Sequence, residues 1–113
     1  MTEPTNTPET GDPQTPVLAP ADCATMDDVR TQIDRVDRAL IDLLAERWGY
    51  VDRAWFFKRT PQEASVPWRN KDVITKVSTR AKKHGMPAEL AESLWRMIIG
   101  FGIQYEEERL RER

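Results

Sequence analysis

One histidine, His84, and one cysteine, Cys23, are all that this chain of 113 residues offers toward a zinc site, and no glycine-rich phosphate loop or Ser/His/Asp set accompanies them. Its chemistry must come from Arg, Lys, Glu and Gln. From Val29 the apolar residues recur at 33, 36, 40, 43, 44, 48, 51, 54 and 55, the period of an amphipathic helix. On the seam 29, 36, 40, 43, 47, 51, 54, 58 of that repeat, Arg47 and Lys58 stand where apolar side chains belong. Eleven residues are about 1100° of turn, so on one continuous helix both cations leave the same face, roughly 16 Å apart along the axis. Side chains that long can hold the two ends of a small anion. They can equally lay their stems on the core and carry their charges to water.

Glu106 is the acidic counterpart. It shares a helical face with Trp95, Ile99 and Gly102, which turns it inward, while the bland alternative leaves it in the solvated run with Glu107 and Glu108. Gly100 and Gly102 serve either close helix packing or space for a ligand, and both uses rest on the missing side chain.

These residues need elements to position them. Residues 1–20 carry Pro at 4, 8, 13, 16 and 20, can neither form a helix nor bury a core, and read as a disordered tail. The remainder, 21–113, reads as one helical domain. Thr25 is the expected N-cap of the first helix, with Asp27 and Asp28 in the turn where the dipole favours acids. That helix runs to Thr60-Pro61, about thirty residues or roughly 45 Å, too long for a compact domain of this size. Its apolar stripe requires a partner chain. A second helix is expected from Trp68 to Lys83, closed by His84-Gly85, after a loop from Thr60 to Pro67. A third follows Pro87, with apolar positions at 90, 94, 95, 97, 98, 99, 101 and 103 that lead into Glu106–Arg113. The fold class is therefore all-α, with three helices and a long first one.

Composition excludes several classes. Hydrophobic residues are 39% and charged residues 32% of the chain, and no apolar run is long enough to span a bilayer. The start lacks the pattern of a secretory signal, and a lone cysteine forms no disulfide within its own chain, so a reducing cytoplasm is the expected location. Residues 1–25 hold Glu3, Glu9, Asp12 and Asp22 and no Lys or Arg; removing those four from 19 acids leaves 15 against 17 basic residues. The basic residues are interspersed with acids, which argues against nucleic acid and for small anions.

The segment ADCATMDDVRTQIDRVDRALIDLLAERWGYVDRAWFFK resembles the first helix of the all-helical chorismate mutases: Arg, Ile-Asp-x-Val-Asp, Leu-Leu, an Arg, and a Lys eleven further on. The later GMPAELAESLWRMIIGFGIQYE is most similar to the branch that includes isochorismate pyruvate lyases of salicylate biosynthesis. The resemblance covers about residues 20–110. It implies an intertwined homodimer in which Arg30 crosses into the partner's pocket while Arg47 and Lys58 serve their own. It makes Thr60–Pro67 a lid and places Lys71-Asp72 near the substrate's ring side, with Asp72 as a substrate contact. The family's usual Gln toward the ether oxygen is replaced by Glu106, as in some mutases. Gln104 lies two residues, about 200°, away, and a register that buries it would turn Glu106 outward.

What the resemblance implies is a cofactor-free, metal-free rearrangement of chorismate to prephenate, in the setting of aromatic amino acid biosynthesis. Arg30 and Arg47 then bind the two carboxylates of a dianionic substrate, chorismate or isochorismate. Lys58 binds a carboxylate and the ether oxygen where negative charge develops, and Glu106 also faces that oxygen. Isochorismate pyruvate lyase activity and a non-catalytic helical dimer with a regulatory role are the alternatives.

Overall fold

The structure, a computed structural model, describes residues 15–113. The greater part of the expected tail, residues 1–14, lies outside the described residues. In order come a 3-10 turn at Pro20–Asp22, helix α1 at Met26–Ala54, 3-10 turns at Trp55–Phe57 and Pro61–Ala64, helix α2 at Pro67–Lys83 and helix α3 at Ala88–Arg111. No strand occurs among the described residues. The chain divides after Tyr50 into two compact units.

In the first unit, α1 begins where its residues provide the cap. The Thr25 hydroxyl accepts the Asp28 amide at 3.1 Å, and the Asp28 carboxylate accepts the amides of Thr25 and Ala24 at 3.2 and 2.9 Å, which satisfies donors that a helix start leaves open. Residues 15–20, the end of the Pro-rich stretch, lie along α1. The Gln32 side-chain amide donates to the Pro16 carbonyl at 2.8 Å, and Arg35, which is buried, donates from Nε to Gln32 Oε1 at 2.9 Å. Leu18, Pro20 and Cys23 line a groove together with Val29, Ile33 and Val36. The apolar stripe itself stays uncovered: Ile33, Val36, Leu40 and Leu43 are all exposed, Leu40 at 49%.

In the second unit, α1 stops six residues before Thr60-Pro61. It ends at Ala54, a 3-10 turn follows, and Lys58 is extended, with φ −115° and ψ 157°. The expected helix to Thr60-Pro61 is thus too long, and Arg47 and Lys58 do not share an uninterrupted helix. The cause is local competition for the backbone. Pro61 has no N–H to continue the ladder and forces Thr60 to extend. Trp55 stacks on Phe56 with centroids 4.6 Å apart, and the tighter winding is held by the Lys58 amide donating to the Trp55 carbonyl at 3.1 Å.

The expected loop from Thr60 to Pro67 is wound in part, at Pro61–Ala64. Both the amide and the hydroxyl of Thr60 donate to the Glu63 carboxylate, at 3.1 and 3.2 Å. Pro67 opens α2 at a position where the missing N–H costs nothing. Gly85, with φ 74°, closes it in the left-handed region open to glycine, and the Met86 amide returns to the Ala81 carbonyl at 2.9 Å. Helix α3 packs on α2 and on the Pro61–Ala64 turn. Small residues fill that contact: Ala64, Ala81 and Ala91 are buried with Leu110. Gly102 is buried too, and a Cβ there would meet Val51 Cγ1 at 3.4 Å. Of the two glycines, Gly102 is therefore a packing point. Gly100 has open space around its Cα.

Candidate functional site

Two residues that sequence reasoning directs to one substrate atom, though 48 positions apart, lie in direct contact. Lys58 Nζ donates to Glu106 Oε1 at 2.6 Å and to the Ala64 carbonyl at 3.3 Å. The extended backbone at Lys58 carries its ammonium toward α3, and the Pro61–Ala64 turn supplies the second acceptor. Glu106 is 6% exposed. Gly102, Glu106 and Leu110 form the buried row of α3, at four-residue spacing, while Gln104 is exposed. The register with Glu106 inward is the one adopted.

A second carboxylate braces this region. Asp52, in the last turn of α1, accepts the Tyr105 hydroxyl in a short hydrogen bond and the Trp55 indole N–H at 3.2 Å. The Asp52 hydrogen bond, with burial, holds the Tyr105 phenol above its ordinary pKa, so it remains a donor across the neutral range. The Arg109 guanidinium stands over the Tyr105 ring, 5.5 Å from its centre. Sequence reasoning missed Asp52 and Tyr105 because each looks like an ordinary polar residue of an amphipathic helix. The one available hint is the three-residue spacing of Asp52 and Trp55.

The other expected site residues lie each within its own unit. Arg30 is exposed and Arg47 half-buried, both on the part of α1 within the first unit. Asp72 is engaged along its own helix, with Lys76 Nζ at 3.0 Å and Arg69 Nη1 at 3.2 Å. The Lys76 hydrogen bond chiefly, with help from Arg69, holds its carboxyl below the usual value against some desolvation. Its neighbour Lys71 lines an open groove of about 400 Å³ between α2 and α3, with Asn70, Ile74, Arg96, Ile99, Gly100 and Ile103. Asn70 and Arg96 were not singled out by sequence. Their proximity depends on helix packing that periodicity does not give.

Chemically, an ammonium with restricted water access is placed to bind an anion or to stabilise a developing oxyanion. The buried carboxyl beside it neutralises that cation while ionised and can donate a hydrogen bond once protonated. Among the described residues no cluster of His, Cys, Asp and Glu could hold a metal ion, and no helix is long and apolar enough to cross a membrane.

Residues 29–107 match the family model described as chorismate mutase type II. The chain is also similar to an isochorismate pyruvate lyase of Pseudomonas aeruginosa, 31% identical over 84 residues, which is 74% of this chain and 83% of that protein. No solved structure gives a significant match.

Proposed function

Since the chain belongs to the chorismate mutase type II family, we propose that it is a chorismate mutase, rearranging chorismate to prephenate in a cationic pocket shared between two protomers. The observation that carries this reading is the 2.6 Å contact of Lys58 with Glu106. In the rearrangement a C–C bond forms as the ether C–O bond breaks, within one molecule. The enzyme need only hold the reactive conformer and stabilise the negative charge that grows on the ether oxygen. Lys58 supplies that charge, Arg47 binds a carboxylate from the same chain, and Arg30 reaches the pocket of the partner. Asp72 contributes on the ring side only by releasing Lys76 and Arg69. The uncovered row Ile33, Val36, Leu40 and Leu43 supports a homodimer, because an apolar stripe of that length left in water is unfavourable. A cytoplasmic enzyme without cofactor or metal fits this chemistry.

The similarity to an isochorismate pyruvate lyase favours a second reading, cleavage of isochorismate to salicylate and pyruvate in the same cationic pocket. Incubating the purified protein with each substrate separately tests both. Prephenate from chorismate is the expected result. Salicylate and pyruvate from isochorismate, without prephenate from chorismate, replaces the first reading with the second. No turnover of either substrate overturns both and leaves a non-catalytic dimer.

Glu106 gives a further test. A carboxyl donates to the ether oxygen only when protonated, whereas an amide donates at any ordinary pH. Glu106→Gln is therefore expected to raise turnover. Turnover unchanged by the substitution removes Glu106 from the reaction.

A further inference from the structure

Lys58 is held at its side-chain end by Glu106 and Ala64, but its backbone follows a short 3-10 turn whose carbonyls have no continuing helix to receive them. Two of those carbonyls and that of Lys58 converge on one guanidinium. Arg113 Nη1 donates to Trp55 O at 3.2 Å and to Lys58 O at 3.0 Å, and Nη2 donates to Phe56 O at 3.4 Å. The same guanidinium lies over the Trp55 ring, 5.4 Å from its centre, where the ring's negative face attracts it. Arg113 immediately follows Glu112, the C-cap of α3. The far end of the helix that carries Glu106 thus grips the turn that carries Lys58.

We propose that Arg113 is a positioning residue, acting through the Trp55–Phe57 turn to hold Lys58 in register with Glu106. The proposal rests on the reading of Lys58 as the charge at the reacting oxygen. A guanidinium suits the task because its donors diverge in a fixed plane and reach several carbonyls at once, whereas a lysine ammonium is a point charge on a flexible stem. The anchor has a specific mechanical consequence. Without it the carbonyls are solvated, the turn samples other conformations, and Lys58 spends less time at the geometry the reaction needs. A misplacement on the order of 1 Å is enough to cost about 10²-fold in rate, and a turn that is loosened only part of the time costs less.

Arg113→Ala and Arg113→Lys, each made alone and in the Lys58→Ala background, test this with two readouts. The first needs no substrate. Amide hydrogen exchange over residues 55–58 should accelerate in Arg113→Ala while α2 remains as protected as in the wild type. The second is turnover of whichever of chorismate and isochorismate the wild type accepts. Arg113→Ala should lower kcat about 10-fold with a smaller change in KM, and Arg113→Lys should recover part of the loss. In the Lys58→Ala background, Arg113→Ala should have no further effect, because a residue that acts through Lys58 has nothing left to position. An undiminished kcat, unchanged exchange at 55–58, or a loss of equal size in both backgrounds overturns the proposal. If the wild type turns over neither substrate, the reading of the site fails and with it Arg113's role in turnover; the exchange result then decides whether the anchor exists.

Discussion

Lys58→Ala is expected to lower turnover by about 10² to 10³, the scale of losing one preorganised transition-state contact, while circular dichroism still reports a helical protein. Glu106 Oε1 at 2.6 Å and the Ala64 carbonyl at 3.3 Å hold the ammonium in place, the preorganisation that the expected loss assumes. The substitution also leaves the Glu106 carboxylate buried beside no cation, and breaking such a pair by removing one partner costs on the order of 3 kcal/mol. The two effects separate in the double variant Lys58→Ala/Glu106→Gln, measured by chemical denaturation and by steady-state kinetics. Stability should return toward the wild type, since a neutral amide replaces the unpaired charge, and turnover should stay low. Near-normal turnover in Lys58→Ala would refute the role assigned to Lys58, and recovery of turnover in the double variant would show that the charge of Glu106 alone was inhibitory.

Mixing two inactive proteins restores activity if the pocket is shared. Arg30→Ala and Lys58→Ala protomers are each expected to form inactive homodimers. After subunit exchange, a mixed dimer contains one pocket with neither residue and one with both. At equal mixing half the dimers are mixed and each has one intact site, so about a quarter of wild-type activity should return. The geometry behind this lies on α1. Arg30 is exposed near its start and Lys58 follows its end, so most of the helix lies between them in sequence. Absence of recovery after exchange has been demonstrated by mass spectrometry would argue against a shared site.

Most of the fold is legible in the residues that punctuate it. Thr25 with Asp28, Pro67, Gly85 and Pro87 bound the helices within a residue or two of where they lie, because each acts through its own backbone and its nearest neighbours. The end of α1 is not legible in this way. Val51, Ala54 and Trp55 continue the apolar period, and periodicity does not distinguish an α-helix from a 3-10 turn that keeps its apolar residues in line. What ends the helix is partly distant, the Arg113 guanidinium taking carbonyls 55 and more residues earlier. The site divides along the same line. Lys58 and Glu106 stand out from sequence because each violates or extends an apolar face, whereas Asp52 and Tyr105 violate nothing. Asp72 shows the opposite case: its four-residue spacing to Lys76 announces a local ion pair, a competing engagement that the resemblance does not reveal.

The alanines at the helix contacts reverse the usual direction of mutational sensitivity. In most cores the damaging change is from large to small, because a cavity is left behind. Here the buried apolar residues are Ala39, Ala64, Ala81 and Ala91, with Leu110 the only large one among those described, and alanine has little to lose. Enlargement is what such packing absorbs poorly, since each added methylene must displace a packed neighbour. Descendants of this sequence are therefore barred from enlargement at a few small positions. Purifying selection should fall also on residues that a scan by alanine substitution would pass over without a change to make.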